Sequence, residues 1–371
     1  MSALFFFGTL RHLPLLQVVL GRDVPQAVPA RLPGHALHWV RDQPFAMLCD
    51  GDGAEGLYLP DLSDEDIARL DFYEGGFGYA LRALQVQTGG GTRNAQVYFP
   101  SGPAPWQTGD LWSLADWQAR WGEMETRKAH EVMAHYGHTD AARVGALAPF
   151  FRARAWAQML AQDAAPTNLR RATPTSDVQI TPRTGGHDGF FRLRAFDVQY
   201  ETFNGRPSVP AAREAFVAYD AALVLPYDPV TDHVVMIEQL RFGPLMRGDP
   251  APWVLEPVAG LVDAGETPQD CARREALEEA GTALSELIPI ANVYPSPGYS
   301  TEFFHCFLGL ADLPSPGSHL GGLAAELEDI RAHVLPFDEA MALVASGEIN
   351  AAPLVMMLLW LGSERANLRI A

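Results

Sequence analysis

From residue 4 to about residue 100 the apolar positions fall in short clusters separated by Gly, Pro, Asn and Asp, the rhythm of strands and turns. Strands are expected at residues 4–7, 35–40, 56–59, 81–86 and 95–99. One helix interrupts them: Ser63 can cap its start, Asp66 stands three residues on, and Ile67 and Leu70 carry an apolar face to about Tyr73. Between about residues 113 and 162 the period becomes helical, with Trp112, Trp117, Trp121 and Met124, then Phe150, Phe151, Trp156, Met159 and Leu160. Aromatic residues so spaced are expected to pack a core or a junction rather than to hold a cofactor. Residues 163–182, marked by Pro166, Pro174 and Pro182 among Ser and Thr, read as a linker. Beyond it, strands are expected at residues 190–200, 221–225, 234–241 and about 303–310, with a helix ahead of the last strand and a final helix over residues 353–361.

This order predicts an α/β chain in three segments: a small β-rich domain over residues 1–110, a helical connector over 111–165, and a mixed domain over 166–371 with a sheet between helices. The length of 371 residues agrees, being two or three times that of a typical domain. A hydrophobic content of 48% and a charged content of 19% are globular values. A formal net charge of −18 removes the basic patch that counterion release requires, so neither nucleic acid nor an anionic membrane is an expected partner. A small anionic substrate remains compatible, because a bound cation and a few arginines can override the global field inside a cleft. Cys49, Cys271 and Cys306 show no paired or metal-ligand spacing, which fits a reducing compartment. The start lacks a basic leader region and the apolar run at residues 354–361 is too short to span a bilayer, so the expected location is cytoplasmic.

The densest chemistry lies between Gly260 and Thr282. Thr267 followed by Pro268 is a helix start, a side-chain cap and then a residue whose missing N–H costs nothing there. The helix is expected to stop at Gly281, and in it Glu275, Glu278 and Glu279 stand at i, i+3 and i+4 on one face. Three carboxylates so placed repel one another, and the arrangement makes sense around a hard divalent cation, most naturally Mg2+. The alternative is a solvated acidic face. Glu266 is placed to pair with Arg274 and orient the helix start.

In these residues the segment resembles the Nudix box: Gly260, five residues, Glu266, seven residues, Arg274-Glu275, two residues, Glu278-Glu279, one residue and Gly281. Thr282 departs, standing where an aliphatic residue is usual. Flanking residues narrow the resemblance. Trp253 to Gly260, Glu238 to Arg241, the Gly189-Phe190-Phe191 strand, the Phe203-Asn204-Gly205 turn and Pro297 resemble bacterial ADP-ribose diphosphatases of the Nudix superfamily. That resemblance implies an α/β/α sandwich, a nucleoside diphosphate sugar as substrate, and hydrolysis of ADP-ribose to AMP and ribose 5-phosphate. Other nucleoside diphosphate sugars are the alternative, as is a regulator that binds without turnover.

Mg2+, with Mn2+ as its substitute, would be held by Glu275, Glu279 and the backbone carbonyl of Ala259, with Glu278 a direct or water-mediated ligand. The loop from Gly322 to Arg331 resembles the acidic loop that carries the general base. Glu326 matches that position, and Glu328 is a second carboxylate associated with the metal. Arg241, at the end of an expected strand, is placed to grip a diphosphate; Arg213 is assigned to the adenosine moiety and Glu302 to the terminal ribose or the metal's waters. A homodimer is also implied by the resemblance, with the partner completing the substrate site.

At the other end, Phe5-Phe6-Phe7-Gly8-Thr9-Leu10, Leu32-Pro33-Gly34-His35, Gly56-Leu57-Tyr58, Leu70 to Gly75 and Tyr79 to Arg82 resemble a γ-glutamylcyclotransferase-like (AIG2-like) domain. The resemblance implies a small mixed, β-barrel-like fold. The backbone of Gly8, Thr9 and Leu10 would meet a substrate carboxylate, and Glu74 would shuttle protons. Phe7 replaces the usual tyrosine and removes a hydroxyl from the pocket edge, so the pocket is either a cyclotransferase site or a ligand-binding module. The two-part order also resembles bacterial Nudix proteins associated with tellurite resistance, a phenotype that none of these residues explains.

Overall fold

A computed structural model describes residues 2–74, 79–100, 106–162, 165–171, 174–323 and 328–369. The chain divides into two compact units, Met1–Met159 and Leu160–Ala371.

In the first unit, strands Ser2–Phe6, Ala54–Leu62, Val28–Leu32, Tyr79–Thr88 and Gly91–Pro100 form a closed barrel in that spatial order. Its interior is apolar, with Leu4, Phe5, Leu59, Leu62, Val86 and Val97 buried. Gly56 is required where the barrel closes: a Cβ there would stand 2.2 Å from the Phe5 ring. Strands Ala46–Asp50, His35–Val40 and Thr108–Leu111 make a separate sheet. Helix Asp64–Glu74 starts as a reciprocal capping box, with Ser63 Oγ accepting from the Asp66 amide at 3.1 Å and Asp66 Oδ2 accepting from the Ser63 amide at 2.9 Å. Glu74 ends that helix.

The helical segment packs into this same unit. Helices Leu114–Trp117, Glu123–Met133 and Ala141–Leu160 carry the aromatic repeat, and Trp117, Trp121, Met124 and Phe151 are buried by it. These aromatics are core residues, as their spacing suggested. Helix Leu13–Leu20 and strands Val28–Leu32 and Ala46–Asp50 escaped the sequence reading, being short runs without a clear period.

In the second unit an eight-stranded sheet runs Glu286–Val293, Phe303–Leu310, Asp220–Asp228, His233–Leu240, Ile330–Pro336 and Gly317–Gly321, with Trp253–Glu256 and Val258–Leu261 paired alongside. Its central strand Asp220–Asp228 is buried throughout, as a strand covered on both faces must be. Helices Phe337–Ser346 and Ala352–Leu368 pack on it through Phe337, Ala340, Leu354, Met357, Leu358 and Leu361. A second sheet, of strands Gln179–Pro182, His187–Asp188, Arg192–Gln199 and Ala211–Val217, stands apart. The last residues of the expected linker are thus a strand: residues 179–182 pair with residues 196–199. Among the described residues no helix is long and apolar enough to cross a membrane, and Cys49, Cys271 and Cys306 are free thiols.

Candidate active site

The acidic helix forms over Pro268–Ala280. Thr267 Oγ1 accepts from the Asp270 amide at 3.1 Å, Pro268 takes the first turn, and Gly281 ends the helix in the left-handed region at φ 59°. Arg274 clamps the loop to the helix, its guanidinium donating to both oxygens of Glu266 at 3.0 and 3.1 Å. The same guanidinium donates to Glu275 Oε1 at 2.6 Å and to Glu278 Oε2 at 3.0 Å. Glu279 is buried, and its Oε2 accepts from the Ala259 amide at 2.9 Å, which ties the helix to strand Val258–Leu261.

Two glycines shape this contact. A Cβ on Gly260 would lie 1.7 Å from Glu275 Oε1, so the strand presents bare backbone to that carboxylate. A Cβ on Gly321 would lie 1.8 Å from the Glu279 carbonyl oxygen, and the Gly322 amide donates to the Glu278 carbonyl at 3.0 Å. Strand Gly317–Gly321 is thereby pressed against the C-terminal turn of the helix. Glu328 lies there, its Oε2 accepting from the Leu323 amide at 3.0 Å. Glu326 lies outside the described residues.

Burial raises Glu279 to about 8; the Glu275 and Glu328 charges add to it, while the Ala259 amide and Arg241 oppose it. Glu275 is raised to about 7 by burial and by Glu278 and Glu328, with Arg274 opposing. The site therefore concentrates negative charge in a desolvated place, where the Glu328 charge raises both Glu275 and Glu279 and the Glu275 charge raises Glu279. Among the described residues no three His, Cys, Asp or Glu side chains are gathered into a finished cation cage. Arg274 draws Glu275 and Glu278 to itself, and the Ala259 amide holds Glu279. The donor set is all oxygen and short of positive charge, so these residues fit a hard divalent cation.

Arg241 caps strand His233–Leu240 and pairs with Glu256, its Nε donating to Oε2 at 2.6 Å. Its charge reaches Glu279 and Glu302, lowering both against the burial that raises them. Arg241, Glu302, Glu279 and Glu275 thus share one field. Among the described residues Arg213 makes no contact with this group: it is exposed on the separate sheet, its guanidinium donating to the Ala212 carbonyl at 2.7 Å. Glu256 and Gly321 were not singled out by sequence. The paired Gly321-Gly322 ahead of an acidic loop was the available signal, marking a close backbone approach.

The N-terminal residues form a second site within the first unit. Phe7, Gly8 and Thr9 line a cavity of about 80 Å³ with Tyr73, Glu74 and Tyr79. Leu10 is buried in the core and does not line it. Gly8 has φ +65°, a left-handed conformation that lets the chain turn at the pocket edge.

Comparison with known proteins places both units. Residues 4–119 match the family described as gamma-glutamyl cyclotransferase, AIG2-like, and residues 218–357 match the NUDIX domain. The chain is 40% identical over 196 residues to an ADP-ribose pyrophosphatase of Escherichia coli (strain K12), covering 53% of this chain and 93% of the relative. It is 36% identical over 196 residues to the ADP-ribose pyrophosphatase of Haemophilus influenzae, covering 52% and 89%. It is 33% identical over 177 residues to a GDP-mannose pyrophosphatase of Citrobacter koseri, covering 48% and 91%.

Proposed function

This chain belongs to the Nudix family, as a diphosphatase preceded by an AIG2-like γ-glutamyl cyclotransferase domain, and we propose that it hydrolyses ADP-ribose to AMP and ribose 5-phosphate with Mg2+. One observation carries the reading: half-buried Glu275 and buried Glu279 meet the backbone at Gly260 and Ala259, a desolvated anionic cluster in the field of Arg241. The likeness to two ADP-ribose pyrophosphatases supports the choice of substrate.

Glu275, Glu279 and the Ala259 carbonyl would hold Mg2+, with Glu278 as a direct or water-mediated ligand. Such a cation would neutralise diphosphate oxygens and would lower the pKa of a bound water. The rest of the work falls to the chain. Arg241 uses Nε on Glu256, which fixes the guanidinium plane and leaves its terminal N–H groups to bind diphosphate oxygens in parallel. We assign the general base that takes the proton of the attacking water to Glu326, with Glu328, oriented by the Leu323 amide, as a second carboxylate. Glu302, in the field of Arg241, binds the terminal ribose or the waters around the cation.

Arg213 binds the adenosine moiety of a substrate held by the other subunit of a homodimer. Its strand Ala211–Val217 exposes Phe216, and the connections between the strands of that sheet expose Phe190, Phe191 and Phe203, apolar surface that a second copy would cover. Light scattering at the dimer mass supports this; the monomer mass refutes it.

A second reading, hydrolysis of another nucleoside diphosphate sugar, draws support from the GDP-mannose pyrophosphatase relative. A panel of nucleoside diphosphate sugars with Mg2+ separates the two. The proposal expects the highest kcat/KM on ADP-ribose, with Glu279→Gln folded and nearly inactive. No AMP release from ADP-ribose by the folded wild-type protein overturns it.

A further inference from the structure

The cavity of the first unit holds charges that its family does not supply. Beyond Phe7, Gly8, Thr9 and Glu74, its wall includes Glu125, Lys128 and Arg152. These three come from helices Glu123–Met133 and Ala141–Leu160, past the residues 4–119 that match the cyclotransferase family. The helical segment therefore completes the pocket as well as packing beside it.

Glu125 and Lys128 form a buried ion pair, one helical turn apart. Arg152 approaches the other Glu125 oxygen, Oε1, at 3.5 Å. That oxygen is buried and, among the described residues, accepts no hydrogen bond. Among the described residues the Glu74 carboxylate has no hydrogen-bond partner either, and burial raises it to about 7 with Lys128 opposing and Glu125 adding. Two carboxylates thus face the cavity with acceptor capacity unfilled, a costly arrangement unless a donor enters. Lys128 and Arg152 each retain N–H donors beyond those that meet Glu125.

Two acids and two bases sum to no formal charge. A cation or an anion alone would leave this set, half of it buried, unbalanced, whereas a zwitterion satisfies both signs at once. Size narrows the ligand further. At about 10–15 Å³ for each water-sized group, 80 Å³ accommodates about five to eight such groups, the dimension of a small amino acid. Phe45, Pro44 and Tyr79 give the remaining wall an apolar surface for a short side chain.

We propose that this cavity binds a small zwitterionic α-amino acid, its ammonium group between Glu74 and Glu125 and its carboxylate on Lys128 and Arg152. The helical segment sets this specificity. The site is independent of the diphosphatase chemistry of the second unit.

Calorimetric titration of the full chain tests the assignment, with glycine, L-alanine, propionate, ethylamine and γ-glutamyl-alanine as probes. Saturable binding of glycine or L-alanine is expected, with propionate and ethylamine weaker by about tenfold or more, since each lacks one charge. Lys128→Met and Glu74→Gln should each weaken L-alanine by about tenfold or more. Lys128 is part of a buried pair, so its variant is checked by thermal melting. Where it fails to fold, Glu74→Gln, which preserves side-chain shape, decides. Equal binding of propionate or ethylamine, binding of γ-glutamyl-alanine alone, silence of every probe, or unchanged affinity in folded variants overturns the proposal.

Discussion

Replacing Gly260 by alanine tests the active-site geometry with one methyl group. The added Cβ would stand 1.7 Å from Glu275 Oε1, 2.1 Å from its Cδ and 2.6 Å from its Cγ, where ordinary contact begins at 3.4 Å. The nearest carboxylate atom must therefore retreat by about 1.7 Å, the difference between 3.4 and 1.7 Å. The three nearest atoms all belong to the flexible Glu275 side chain, so the backbone can stay in place and the fold should lose only about 1 kcal/mol. In a unit of this size that lowers Tm by about 2–4 °C. Catalysis should suffer far more, because a misplacement of about 1 Å costs about a hundredfold, equivalent to about 2.7 kcal/mol in the barrier. The assay is AMP release from ADP-ribose with saturating Mg2+, paired with a thermal melt. A kcat within about threefold of wild type, in a protein that melts normally, refutes the claim that Glu275 must rest on bare backbone.

Other consequences follow from particular contacts. Gly321→Ala sets a Cβ 1.8 Å from the Glu279 carbonyl, which is backbone and cannot swing away. A loss of about 2–3 kcal/mol is expected in the melt of the second unit, and an unchanged Tm would contradict the close approach. Arg241→Lys keeps the charge but loses the planar fork anchored on Glu256; kcat/KM should fall by about 10- to 100-fold, and a wild-type value would remove Arg241 from diphosphate binding. Asp66, held by the fork of Arg22 and by the Ser63 cap, is depressed from 3.8 to about 2. Its stabilisation is thus complete above about pH 4 and lost as pH falls toward 2, the sign for a group that binds its proton less readily when folded. Asp66→Asn should cost the first unit about 1–2 kcal/mol near neutral pH, after allowance for the partly exposed Arg22, and flatten its melting profile across that window. Parallel pH profiles for the two proteins would exclude the linkage.

What a reader of sequence could see was local. The Thr267-Pro268 start and the Gly281 stop of the acidic helix are properties of neighbouring residues, so helix Pro268–Ala280 formed where its caps demand. The Glu266–Arg274 clamp was legible for the same reason, since loop and helix are close in the chain. The aromatic period of the helical segment likewise announced buried Trp117 and Phe151. Short strands without alternation, such as Val28–Leu32, were lost, because their faces are assigned only by pairing with Ala54–Leu62 and Tyr79–Thr88.

Charge and glycine roles needed the fold. That Gly260 lies under Glu275, that Gly321 meets Glu279, and that Glu256 steadies Arg241 are contacts between elements distant in sequence. The pattern could place three glutamates on one face, but only packing decided that two of them are desolvated and that Arg274 stands among them. The same holds for the first unit, where Glu125, Lys128 and Arg152 read as ordinary charges on a helical stretch until tertiary structure turned them into a cavity beside Glu74. Caps, periods and motifs act over a turn or two of chain and are written in it. Desolvation and contact depend on what the rest of the chain brings near, and only the folded structure sets them.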